Sequence, residues 1–178
     1  MTSHTLARFD SSREMQEDCA FCRIVAGQSP AHVVYEDEES VAFLDILPLR
    51  PGHTLVIPKK HVQQLSHLDA ATAASLSQAL VRTTQAIGRA LDDERLQVIT
   101  NQIYAQLVPH VHFHIVPAAP RASTDASAKA TPTPSTNVLA LMRLGHGRDE
   151  LDDDEAQELC AKIRQAAHEI AQKPAAKL

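Results

Sequence analysis

Three imidazoles at every second position, His110-Val111-His112-Phe113-His114, offer the most chemistry in this 178-residue chain. Ten histidines in 178 residues would produce that spacing by chance about 0.03 times, so the pattern needs a reason. On a strand, alternation puts the three rings on one face and Val111, Phe113 and Ile115 on the other, so the segment is half site and half core. A solvated sheet face that happens to carry histidines is the bland alternative. One metal held by all three is disfavoured, because His110 and His114 would stand roughly 13 Å apart along a strand, whereas Zn–N bonds are about 2.0–2.1 Å long. Divided labour fits better. The middle imidazole has a reference pKa of about 6.5, which leaves its free base populated at neutral pH, and it can act as nucleophile while a neighbour binds an anionic group. Attack on phosphorus would form a covalent phosphoramidate, splitting one hard displacement into two easier ones, the second completed by water.

A second candidate is Cys19-Ala20-Phe21-Cys22. A lone C-x-x-C is a weak signal for metal, since redox dithiols and coincidence produce it too, and three cysteines, with Cys160, do not make a disulfide framework.

The elements that must position these groups follow from pattern. Ala20 to Gln28 predicts a short helix ended by Gly27, with Pro30 preventing continuation. Val33 to Tyr35 and Val41 to Leu44 predict two strands of a hairpin around an acidic turn, His53 to Ile57 a third, Leu96 to Ile99 a fourth and His110 to Val116 a fifth. Leu76, Leu80, Ile87 and Leu91 fall on one face of a long helix capped by Asp69. Residues 118–137 are dominated by Ala, Ser, Thr and Pro, and predict a disordered insertion that cannot offset its ordering entropy. Order is expected to return at Val138, and after the Gly145-His146-Gly147 turn Asp152 to Asp154 suit the N-terminus of a last helix with Leu159, Ile163 and Ile170 on its stripe. The organisation expected is a loose leader over 1–17, a domain over 18–117, the insertion, and an extension over 138–178. The apolar fraction of 44% supports a real core, and the formal charge of −5 argues against wrapping a polyanion. No apolar run approaches the roughly 20 residues of a membrane span, and Met1 to Gln16 lacks a secretory stretch, so a soluble intracellular protein is expected.

The strand HVHFHIV resembles the signature of the histidine triad (HIT) superfamily of nucleotide hydrolases and transferases. The run from Ala42-Phe43-Leu44-Asp45-Ile46 through Pro51-Gly52-His53 to Pro58-Lys59-Lys60-His61 resembles that family's other hallmark. With the Cys pair and Asn101, these blocks cover about residues 19–117 and look most like the nucleoside phosphoramidase branch. The resemblance implies an α+β fold with a five-stranded antiparallel sheet, a homodimer, and a purine nucleotide substrate, most of all an adenosine 5′-monophosphoramidate. It implies that His112 is the nucleophile, that His114 contacts the α-phosphate and that His53 supports the cluster. Asp45 would take the ribose hydroxyls, Phe21, Ile24, Phe43 and Ile46 would line the base pocket, and Asn101, Ala105, Gln106 and Leu107 would face the phosphate. In zinc-bearing relatives the Cys pair is joined by two histidines, which map here to His61 and His110. That implies a structural Cys₂His₂ zinc on Cys19, Cys22, His61 and His110, and no diffusible cofactor.

One departure stands out. The family commonly places a hydroxyl in the loop where this chain has Ala105-Gln106-Leu107-Val108, and Leu107 cannot donate a hydrogen bond. Either Gln106 or Tyr104 supplies another donor, or leaving-group preference and rate are altered. Dinucleoside polyphosphate hydrolysis or nucleotidyl transfer through the same intermediate, and a non-enzymatic purine-nucleotide scaffold, are the alternative functions. The chain ends Ala176-Lys177-Leu178, close to a peroxisomal address, so cytoplasm is expected first and peroxisome second.

Overall fold

The computed structural model describes residues 16, 18–119 and 149–172. In chain order these form α1 (Ala20–Val25), β1 (Val33–Glu36), β2 (Ser40–Leu44), β3 (Thr54–Pro58), a 3₁₀ turn (Leu65–His67), α2 (Ala70–Leu91), β4 (Leu96–Thr100), β5 (Phe113–Pro117) and α3 (Asp153–Gln172). The strands make one antiparallel sheet in the order β1-β2-β3-β5-β4, which is the expected α+β fold. The expected leader, the insertion beyond residue 119, the Val138 and Gly145–Gly147 region and the Ala176-Lys177-Leu178 tail lie outside the described residues. Among the described residues no helix is long and apolar enough to cross a membrane.

Local chemistry accounts for the boundaries. The β1–β2 turn closes because the Asp37 carboxylate accepts from the backbone N–H groups of Glu39 (3.0 Å) and Ser40 (2.7 Å). Asp69 caps α2 by accepting from the Thr72 N–H at 2.8 Å. The first helix stops two residues earlier than the Gly27 boundary suggests. Gly27 adopts φ +72°, and the Gln28 N–H reaches back to the Arg23 carbonyl at 2.8 Å, which satisfies carbonyls that a further turn would have used.

The fifth strand is shorter than the histidine pattern predicts. Regular pairing begins at Phe113, and His110 to His112 precede it as extended chain. The Val111 N–H leaves the ladder for the Val62 carbonyl at 2.7 Å, and the His112 carbonyl accepts from the Thr100 hydroxyl at 2.9 Å. These bonds hold the backbone extended without a strand partner, so the alternation of faces survives. His53 likewise sits one residue before β3.

Both faces of the sheet are covered, and every residue of β2 and β3 is buried. One face packs Leu44, Val56, Val111 and Ile115 against Leu76 and Ile87 of α2 and Ile163 of α3. The other face carries Val41, Phe43, Leu55 and Ile57 under Phe21 and Val25 of α1. Beyond belonging to that first core, α3 shields the edge strand β1, where the Cys160 thiol (3.0 Å) and the Arg164 Nε–H (2.6 Å) both donate to the Val33 carbonyl. The C-terminal helix is therefore part of the domain. Ile163→Ala should cost about 2–5 kcal/mol of unfolding free energy in urea titration, the range for emptying a fully buried aliphatic site. A loss under about 0.5 kcal/mol would mean that α3 only rests on the surface.

Candidate active site and metal centre

The α1 face of the sheet gathers the predicted chemistry into two adjoining clusters. His110, His112 and His114 are all buried and turn toward this face, while Val111 and Ile115 point into the opposite core. Phe21 sits between the clusters. Its ring meets those of His110 (5.8 Å), His112 (5.3 Å) and Phe43 (5.6 Å) edge-on.

The first cluster is Cys19, Cys22, His61 and His110. The His110 Nε2–H donates to the Pro58 carbonyl at 2.8 Å, which leaves Nδ1 as a bare lone pair aimed at the two sulfurs. Nδ1 of His110 lies 3.5 Å from the Cys19 Sγ and 3.7 Å from the Cys22 Sγ, and Nδ1 of His61 lies 3.3 Å from the Cys22 Sγ. A sulfur at about 2.3 Å and a nitrogen at about 2.0–2.1 Å from a tetrahedral zinc stand roughly 3.5–3.6 Å apart, so these three sulfur–nitrogen separations match edges of a zinc tetrahedron. Burial pushes the His110 pKa down to about 4 and lowers that of His61, which keeps both imidazoles neutral as ligation requires. Burial pushes the Cys22 thiol up to about 11, a tendency that a dication between the sulfurs would reverse.

The second cluster holds the remaining histidines. The His112 Nδ1–H donates to the His110 carbonyl at 2.7 Å, so Nε2 carries the free lone pair. Burial lowers the His112 pKa, which keeps that base unprotonated near neutral pH. Beside it, at 4.9 Å between rings, stands His114, whose Nδ1 lies 3.0 Å from Nε2 of His53. Nδ1 of His53 accepts from the Leu49 N–H at 3.1 Å and lies 3.3 Å from Oδ2 of Asp45. That last contact becomes a hydrogen bond only when Nδ1 carries the proton. Asp45 is itself oriented by the Leu47 N–H, which donates to Oδ1 at 2.9 Å.

A cavity of about 290 Å³ opens beside this cluster. Its walls include His112, His114, Asp45, Phe21, Ile24, Phe43, Ile46 and Leu107. All the residues expected at base and ribose are thus brought together. The expected phosphate-side residues divide: Leu107 lines the cavity, whereas Asn101, Ala105 and Gln106 do not. Both ends of the Gln106 amide are engaged: Oε1 accepts from the Ile103 N–H of its own loop at 2.9 Å, and Nε2–H donates to the Gln63 carbonyl of a neighbouring segment at 2.8 Å. It is therefore not the substitute donor that the missing hydroxyl called for. Ile103 and Ala105 hold φ +62° and +58°, and a β-branched residue in that region stores about 1–3 kcal/mol of strain, which the Gln106 bonds offset. Leu55 and Val108 also line the cavity and were not anticipated. Strand alternation carried a signal for Leu55, which lies two residues beyond His53 on the same face.

A model of the HIT domain matches residues 26–121, just over half of the chain. This chain belongs to the HIT family. Over 101 residues this HIT protein is 42% identical to an adenosine 5′-monophosphoramidase of Schizosaccharomyces pombe, a match covering 56% of this chain and 73% of the relative. The structure of a hypothetical histidine triad nucleotide-binding protein from Sulfolobus tokodaii superposes with TM-score 0.70 at 29% identity, over 87% of this chain and 95% of that one. A zinc-bound histidine triad family protein from Mycobacterium smegmatis superposes with TM-score 0.64 at 30% identity, over 86% and 96% of the two chains.

Proposed function

We propose that this HIT protein hydrolyses nucleoside 5′-monophosphoramidates, adenosine ones foremost, through a nucleotidyl-His112 intermediate. The observation that carries this reading is the bond from the His112 Nδ1–H to the His110 carbonyl, which leaves Nε2 as a neutral nucleophile in the cavity. In the first step the Nε2 lone pair forms a bond to phosphorus, the P–N bond of the substrate breaks, and the amine leaves with its electron pair and takes a proton from solvent. The positive charge on the His112 ring is relieved along Nδ1–H···O=C. Water then attacks phosphorus, the electron pair returns to Nε2, and the nucleoside monophosphate departs. One water is consumed, and the products are amine and monophosphate. His114, oriented through Nδ1 by His53, turns its other ring edge to the phosphoryl oxygens. A nucleotide trapped on His112 after alkaline quench tests the reading directly; absence of both adduct and turnover would leave nucleotide binding as the better account.

Asp45 reads the ribose in this scheme. Its two oxygens offer about four acceptor sites, of which the Leu47 N–H takes one, leaving lone pairs for two hydroxyl donors. Asp45→Asn should lower kcat/KM for the ribonucleotide substrate roughly 10- to 100-fold, the value of hydrogen bonds to a charged acceptor. The same change should shrink the preference over the 2′-deoxy substrate. An undiminished preference would place the ribose elsewhere.

The cluster of Cys19, Cys22, His61 and His110 is proposed to hold a structural zinc. Four protein donors close the coordination shell, so the ion supplies no open position for chemistry. Its contribution is to fix α1 against the histidine segment.

A further inference from the structure

The loop that carries Leu107 into the cavity wall presents an unusual surface beside a site proposed to take a polar substrate. Ile103, Tyr104 and Leu107 are 70%, 75% and 71% exposed, three large hydrophobic side chains within five residues, of which only Tyr104 carries a polar tip. Leu107 is at the same time a wall of the cavity that contains His112 and His114, so the exposed face is continuous with the reaction centre. The loop is anchored at both ends to one neighbouring segment. The Ser66 N–H donates to Oε1 of Gln102 at 3.1 Å, and Nε2–H of Gln106 donates to the Gln63 carbonyl at 2.8 Å. The apolar side chains are therefore presented on a tethered support. The Gln106 amide, one of the two donors expected to replace the missing hydroxyl, is engaged by the Ile103 N–H and the Gln63 carbonyl.

We infer that Leu107, with Tyr104 and Ile103 beside it, forms an apolar lip that receives the leaving group, and that the chain acts on nucleoside monophosphates amide-linked to an apolar amine. This rests on the phosphoramidase reading and deepens it. At about 290 Å³ the cavity lies at the small end of ligand sites, so with a nucleotide in it the leaving group would run out along Leu107, the wall that is also exposed. A leaving group of further phosphates would set several charges against a leucine with no donor to meet them, at a cost in desolvation. An aryl or alkyl group instead covers Leu107 and Tyr104 and takes their surface out of water together with its own.

The test compares two adenosine 5′-phosphoramidates, one carrying a phenethyl and one a 2-hydroxyethyl group on nitrogen. The phenethyl substrate should show about tenfold higher kcat/KM, which is what removing roughly 55 Å² of apolar surface from water is worth. Leu107→Ser should bring that ratio near one, because the hydroxyethyl substrate gains a donor and the phenethyl substrate loses its contact. Leu107→Met, which keeps an apolar surface, should preserve the ratio. Equal kcat/KM for the two amides in the wild type, with nucleotide still accumulating on His112, would overturn the lip and leave the phosphoramidase reading standing. No turnover of either amide and no adduct would remove that reading and the lip with it. If Leu107→Ser changes the mass in light scattering but not the ratio, the apolar face joins copies of the chain and the inference fails.

Discussion

If the proposed chemistry holds, His112→Asn should lower kcat for adenosine phosphoramidate hydrolysis by at least about 10⁴-fold, with no nucleotide trapped on the variant. The size follows from the chemistry. Removing the group that forms the covalent bond forfeits the whole two-step route, and in enzymes of this kind what remains comes from binding and electrostatics alone. Asn fills part of the space of the imidazole and keeps a polar end near the His110 carbonyl, so the melting temperature should stay within a few degrees. The metal cluster should be untouched, because the His110 side chain, not its carbonyl, faces the sulfurs. His114→Asn should fall well short of that loss, since it removes a contact to phosphate rather than the bond itself. A kcat within tenfold of wild type for His112→Asn would end the covalent account, whatever the affinity for nucleotide.

The same segment shows how far the sequence alone could go. The alternation of His110, His112 and His114 with Val111, Phe113 and Ile115 correctly divided site from core, because side-chain direction depends only on extended backbone. It overstated the strand, because the partner of Val111 is Val62, a loop carbonyl that no local pattern announces. The hairpin of β1 and β2 and the long α2 were legible through turn chemistry at Asp37 and capping at Asp69, both interactions within three residues. The role of Gln106 was not. Its amide is spent on Ile103 and Gln63, the second 43 residues away, and only the folded loop reveals that the expected substitute donor is already engaged. The two clusters fall between these cases. The donors of the Cys₂His₂ set come from three separate stretches, and spacing alone named only the Cys pair. The convergence of His61 and His110 on it had to come from the family resemblance, and the geometry of the fold now displays it.

Stripping zinc is expected to loosen α1 and, through it, the base pocket. A six-residue helix is too short to hold itself together in water, so α1 depends on what anchors it. Cys19 stands at its N-terminal boundary and Cys22 within it, so an ion shared with His61 and His110 fixes both the helix position and its rotation. Phe21 and Ile24 ride on that helix and line the cavity, so a bound ion would tie their placement to the metal. Protein purified without added zinc should carry about one zinc per chain, and Cys22→Ser should carry little. Loss of the ion should lower the melting temperature by several degrees and raise KM more than it lowers kcat, since His112 is held by the extended segment before β5, through the Thr100 hydroxyl and the His110 carbonyl, and not by α1. The pH dependence has a definite sign. His61 and His110 are kept neutral by burial, so near neutral pH only thiol protons compete with the metal, and the Cys22 thiol holds its proton up to about 11 in the metal-free state. Ligation displaces the proton of the buried Cys22 thiol, so affinity falls by at least about tenfold per pH unit as pH drops. The stabilisation by zinc is thus present at high pH and lost on acidification, because it scales with the logarithm of metal concentration over Kd. Melting curves at pH 8 and pH 5.5, with and without chelator, should show a large chelator effect at the higher pH and a small one at the lower. Identical chelator effects at both, or zinc far below one per chain, would leave the Cys₂His₂ cluster as a metal-free packing of thiols and rings.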